Sequence, residues 1–116
     1  MKIILEEKVR MTEGKAYWIK ADNHVFEVEP DNGKTFSLEE LQSAVGGFIE
    51  FLREPGYNAI KHKYPDLKMR MLVVNEEGKL RGLPLNETAS DLAFDQMARW
   101  DFVAGDALYV ESDMVE

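Results

Sequence analysis

"FSLEELQSAVGGFIEFL", residues 36–52, decides how this chain folds, because a doubly signposted helix stops at two glycines and the chain at once turns apolar again. Ser37 stands at an N-cap position: its hydroxyl can accept from the Glu40 amide while the Glu40 carboxylate reaches back to the Ser37 amide. Phe36 and Leu41 occupy the flanking staple positions, so two independent signals agree on one start. Leu38, Leu41, Ala44 and Val45 then form one apolar stripe, with Glu39, Glu40 and Ser43 off it. Gly46 suits the left-handed residue that closes a helix, and "FIEFL" is too short and too rich in aromatic and β-branched residues to be anything but a strand.

A glycine pair that cradles phosphate belongs between a strand and the start of a helix, where amides point outward and the dipole is positive. Here the pair follows a helix end, whose carbonyls repel anions. Gly46 and Gly47 are therefore read as turning a corner.

Upstream, Ile3 and Leu5, then Val9 and Met11, fall on alternating positions, and "AYWIKA" and "HVFEVEP" flank a turn-like "DN" as a hairpin. "PDNG" closes that run, with Gly33 accepting positive φ. Downstream, "MLVVNEEGKLRGLPLN" reads as a second hairpin, its arms at 71–74 and 79–83 and Gly78 left-handed in the turn. Asn86, with Thr88 as an alternative, caps a helix whose Ala89, Leu92, Ala93, Met97 and Trp100 recur at helical spacing; Phe94 lies off that stripe and is expected to be partly exposed. Gly105 and Asp106 turn into a final strand at 107–111. The resulting order predicts an α+β fold, a mainly antiparallel sheet of about six to seven short strands with two amphipathic helices.

The chain has 116 residues, enough for a single domain with one modest core. It holds no cysteine, which excludes disulfides and thiolate catalysis. "MKIILEEKVR" lacks the pattern of a secretory signal and no apolar run is long enough to span a bilayer, so a cytoplasmic protein without membrane contact is expected. The net charge of -8 argues against direct nucleic-acid binding. Residues 53–70 oppose that charge: Arg53, Lys61, Lys63, Lys68 and Arg70 face Glu54 and Asp66, which makes the segment +3 and the remainder -11. A solvated charge run is the ordinary reading of such a segment. The sharper one makes it a binding surface for a partner or a small anionic ligand.

"LEELQSAVGGFIEFL", "LVVNEEGKLRGLPLNETA" and "VAGDALYVE", in this order, resemble the small domain family DUF3846, found in bacteria, phages and mobile elements. The resemblance covers about 37–111, leaving 1–35 as a strand-rich front. It implies a compact α+β domain with no established activity. It also points to Gly46, Gly47, Glu50, Asn75, Gly78, Pro84, Asn86, Gly105 and Asp106 as matching positions. Of these, Glu50, Asn75 and Asn86 are the polar ones. The asparagines are expected to supply turn and cap hydrogen bonds and Glu50 to face solvent; a concave site shared by all three would say otherwise.

Catalytic patterns are weak. His24 and His62 form no metal-ligand spacing, Glu76-Glu77 sit in a turn, and Glu87, Asp91 and Asp95 line the polar side of a helix. No enzyme, metal or cofactor is expected. The leading expectation is a non-enzymatic protein-interaction or accessory module of phage or mobile-element type, with a protein partner or self-association, to which Phe94 contributes. The alternative is a small-ligand, nucleotide-class binder using Arg53, Tyr57, Lys61, His62, Lys63 and Tyr64, whose aromatic rings offer stacking surfaces among the cations. An acidic DNA mimic is the third reading.

Overall fold

The computed structural model describes residues 1–6, 14–53, 70–93 and 101–115. Strands β1 (Lys2–Glu6), β2 (Ala16–Ile19), β3 (Val25–Glu29), β4 (Ile49–Arg53), β5 (Arg70–Asn75) and β6 (Ala107–Glu111) form one sheet in the order β1-β3-β2-β6-β5-β4, with every pairing antiparallel. Helices α1 (Leu38–Val45) and α2 (Glu87–Leu92) complete the α+β fold, and a 3-10 turn spans Ser112–Met114. Neither described helix is long and apolar enough to cross a membrane.

Strand alternation splits the apolar residues between the two faces of the sheet. Ala16, Val28, Met71, Val73, Leu108 and Val110 meet Leu41, Ala44 and Val45 of α1 on one face. Tyr17, Ile19, Leu72, Val74 and Ala107 meet Ala89, Ala93 and Val103 on the other. Both faces of the central strands are thus buried, which explains why "RMLVVN" is a nearly continuous apolar run.

The local signals around α1 act as the sequence predicts. The Glu40 amide donates to Ser37 Oγ at 3.2 Å and the Ser37 amide to Glu40 Oε1 at 3.0 Å, while Phe36 and Leu41 are buried. Glu40 also accepts from the Asp31 amide at 2.9 Å and pairs with the N-terminal ammonium at 3.0 Å. Leu38 departs from the expected stripe: it is 53% exposed, while the helix rests on the sheet through Leu41, Ala44 and Val45.

The second hairpin is the main correction. Residues 71–74 lie in β5, but 76–82 form a run of turns and no strand lies at 79–83. Arg81 N–H donates to the Glu77 carbonyl and Leu83 N–H to the Gly78 carbonyl, so the chain coils back on itself. Gly78 does not carry the positive φ; Gly82 does, at 67°. Gly78 is small for a different reason, since a Cβ there would overlap the Ala104 carbonyl oxygen. Asn86 rather than Thr88 caps α2, accepting from the Ala89 amide at 3.0 Å. Within α2, Leu92 is exposed although the apolar spacing places it on the buried stripe. Val9, Met11, Phe94, Met97 and Trp100 lie outside the described residues.

Burial opposes ionisation of Glu40, but the Ser37 and Asp31 amides and the terminal ammonium outweigh it and hold the carboxyl down at about 2, from 4.5. A depressed carboxyl contributes stability above its unfolded value, lost as the pH falls toward its folded one. Urea midpoints are therefore expected to fall between about pH 4.5 and pH 2, with Glu40→Gln showing a smaller fall than the parent. At neutral pH Ser37→Ala is expected to cost about 1 kcal/mol.

Candidate functional site

The site begins at the corner after α1. Gly46 adopts φ 80°, and the Gly46 and Gly47 amides both donate to the Gln42 carbonyl, at 2.8 and 3.1 Å. Two carbonyls at the helix end then need partners. Asn75 Nδ2 donates to the Val45 carbonyl at 3.1 Å and Arg81 Nη1 to the Gly46 carbonyl at 3.2 Å. A Cβ on Gly47 would come within 2.9 Å of Asn75 Nδ2 and 3.0 Å of Arg81 Nη1, so glycine there makes room for both donors. Asn75 Oδ1 accepts from the Glu77 amide at 2.8 Å, which fixes the turn leaving β5.

This clamp lays β4 against β5 at the end of the sheet, in an unbroken register from Ile49↔Asn75 to Arg53↔Met71. The Glu76 amide donates to the Phe48 carbonyl at 2.9 Å, so the backbone groups of Phe48, and by alternation of Glu50 and Leu52, face β5. Those of Ile49 and Phe51 face outward. Among the described residues no strand lies beyond β4.

A groove flanks this edge on each face. On the α1 face, Ile49 and Phe51 form a groove of about 450 Å³ with Phe36, Leu38, Leu41 and Val115. On the other, Glu50 and Leu52 form a groove of about 470 Å³ with Val74, Glu76, Leu80 and Phe102. The first is apolar apart from Ser37 and Glu39 at its rim. The second is acidic: Glu50, Glu76 and Asp101 line it against one ammonium, Lys79, which is paired with Asp101 and stands 5.2 Å over the Phe102 ring.

Glu50 and Asn75 thus share a groove, with Glu50 exposed and Asn75 buried in its clamp. Asn86 lies elsewhere, fully buried, with Nδ2 donating to the Ile19 and Gly105 carbonyls at 2.9 Å each; it ties α2 to the sheet. Arg53 ends β4, its guanidinium 5.9 Å from the Phe51 ring centroid. Tyr57, Lys61, His62, Lys63, Tyr64 and Phe94 lie outside the described residues. His24 stands 2.7 Å from Glu6 and stacks on Phe26, remote from β4 in strand order. Among the described residues no group of three or more His, Cys, Asp or Glu side chains could hold a metal ion.

The sequence reading singled out Glu50 and Asn75 but missed Leu38, Ile49, Phe51, Leu52, Glu76 and Phe102. The signal for three of them, Ile49, Phe51 and Leu52, was "FIEFL" itself, a largely apolar strand with neither proline nor lysine to guard an edge.

Residues 15–115 match the family model DUF3846, a domain of unknown function, and the chain belongs to that family. The match takes in the β2–β3 hairpin as well as the 37–111 stretch. No curated protein and no solved structure matched the chain.

Asn75→Ala leaves the Val45 carbonyl and the Glu77 amide without their side-chain partner and is expected to cost about 1–3 kcal/mol. Glu50→Gln, at an exposed position, is expected to stay within about 0.5 kcal/mol of the parent. Denaturant midpoints of the two variants check the clamp; equal midpoints would contradict it.

Proposed function

We propose that the chain is a cytoplasmic, non-enzymatic protein-interaction or accessory module of phage or mobile-element type, and that it takes its partner at the outer edge of β4. One observation carries this reading: the outward backbone groups of Ile49 and Phe51 run between two grooves, each walled by alternate side chains of the same strand. An incoming strand would gain main-chain hydrogen bonds from the edge and side-chain contacts from both grooves, the arrangement that edge-strand addition uses. Five residues of strand offer about 17 Å of such an edge.

The two ends of the sheet differ in a way that supports this choice. β1 also exposes Ile3, Ile4 and Leu5, but its pairing is interrupted between Ile3 and Leu5, and Lys2 and Glu6 flank the irregularity. A bulge of this kind discourages further pairing. β4 carries no irregularity in its register.

Photo-crosslinking in the native cell tests the reading, with a benzophenone amino acid placed at Leu38, at Phe51, or at Asp22 in the β2–β3 turn, away from β4. The expected result is one discrete adduct shared by positions 38 and 51 and missing at 22. Adducts spread evenly over the three positions, or none at 38 and 51, would contradict it.

A further inference from the structure

Building on that docking reading, we infer that the occupant is an extended segment of a partner protein that alternates apolar and cationic side chains. Side chains directly opposite one another on antiparallel strands share a face. The partner residues facing Ile49 and Phe51 therefore enter the α1-side groove, whose wall is Phe36, Leu38, Leu41 and Val115. Apolar side chains fit there, since an ammonium would lose water against six hydrocarbon groups for the sake of Glu39 at the rim.

The residue facing Glu50 enters the opposite groove, where the demand is reversed. Glu50 and Glu76 are exposed carboxylates, and Lys79, the one ammonium among the described lining residues, is already paired with Asp101. Among the described lining residues, three carboxylates against one ammonium leave a charge of -2. A lysine or arginine supplies the missing charge and lays its hydrocarbon stem along Leu52 and Phe102. The strand that fits is thus basic opposite Glu50 and apolar on both sides of that position.

A second copy of this chain fits less well. Each copy carries a net -8, so two copies repel at long range. A copy paired symmetrically about Phe51 would set Leu52 opposite Glu50, placing a leucine in the acidic groove and leaving its carboxylates without a cation.

Three labelled heptapeptides test the inference by fluorescence anisotropy: one alternating lysine and valine, one of the same composition with its lysines and valines in separate blocks, and one alternating glutamate and valine. The alternating lysine peptide is expected to bind about tenfold more tightly than either of the others and to weaken as salt rises. Glu50→Lys, an exposed change, should remove most of that preference. Equal binding of the alternating and block lysine peptides would reduce the effect to net charge and overturn the inference. Preference for the glutamate peptide, or edge pairing between two copies in sedimentation, would overturn the basic partner while leaving edge docking at β4 intact. If no extended peptide binds and the chain stays monomeric, edge docking falls as well.

Discussion

The closing of α1 at Gly46 and Gly47 is the constraint on which the rest of the architecture depends. A helix end leaves carbonyls that require donors, and here those donors come from Trp18 in β2, which meets the Ala44 carbonyl, from Asn75 at the end of β5 and from Arg81 in the following coil. The same hydrogen bonds that satisfy the helix therefore dock the β5 end beneath it and set where β4 begins. Glycine at 47 is what allows the approach, since any side chain would occupy the space of both donors. The corner is thus structural, and its consequence is positional: β4 is delivered to the margin of the sheet with α1 beside one of its faces.

The other face is shaped by a second close approach. Gly78 fits under the Ala104 carbonyl, and the coil it begins returns to place Leu85 in a bridge with Ala104. That packing sets Phe102 and Asp101 across from Glu50 and Leu52, and so builds the acidic groove. Asn86 supports it from behind: fully buried, it joins the end of β2, the start of α2 and the approach to β6 through four hydrogen bonds, counting its own amide to the Val103 carbonyl. Two grooves with opposite chemistry then meet at one strand whose side chains alternate between them.

Much of this was legible because it is local. The capping box at Ser37 and Glu40, the left-handed Gly46, the Asn86 cap and the β2–β3 hairpin each depend on residues within a few positions of one another, where sequence spacing is spatial spacing. The 79–83 segment misled for the same reason: Leu80 and Leu83 look like part of an alternating arm, yet Leu80 is 89% exposed and the segment is coiled by Gly82 and by contact with Ala104, twenty-odd residues away. The grooves could not be read at all. They arise from contacts such as Asn75 with the Val45 carbonyl and Gly78 with Ala104, whose partners are set by the fold and not by any neighbouring residue. The exposed Leu38 belongs with them, because a helix stripe predicts which side is apolar but not which of its residues the sheet covers.

The central claim is that β4 offers its outer backbone between the two grooves, and residue-resolved amide hydrogen exchange tests it most directly. The account predicts slow exchange at Glu50 and Leu52, whose amides bond to β5, alternating with fast exchange at Ile49 and Phe51, whose amides face outward. Ile49 and Phe51 amides as well protected as those of Glu50 and Leu52 in the monomer would mean that the edge is already occupied, and would contradict it.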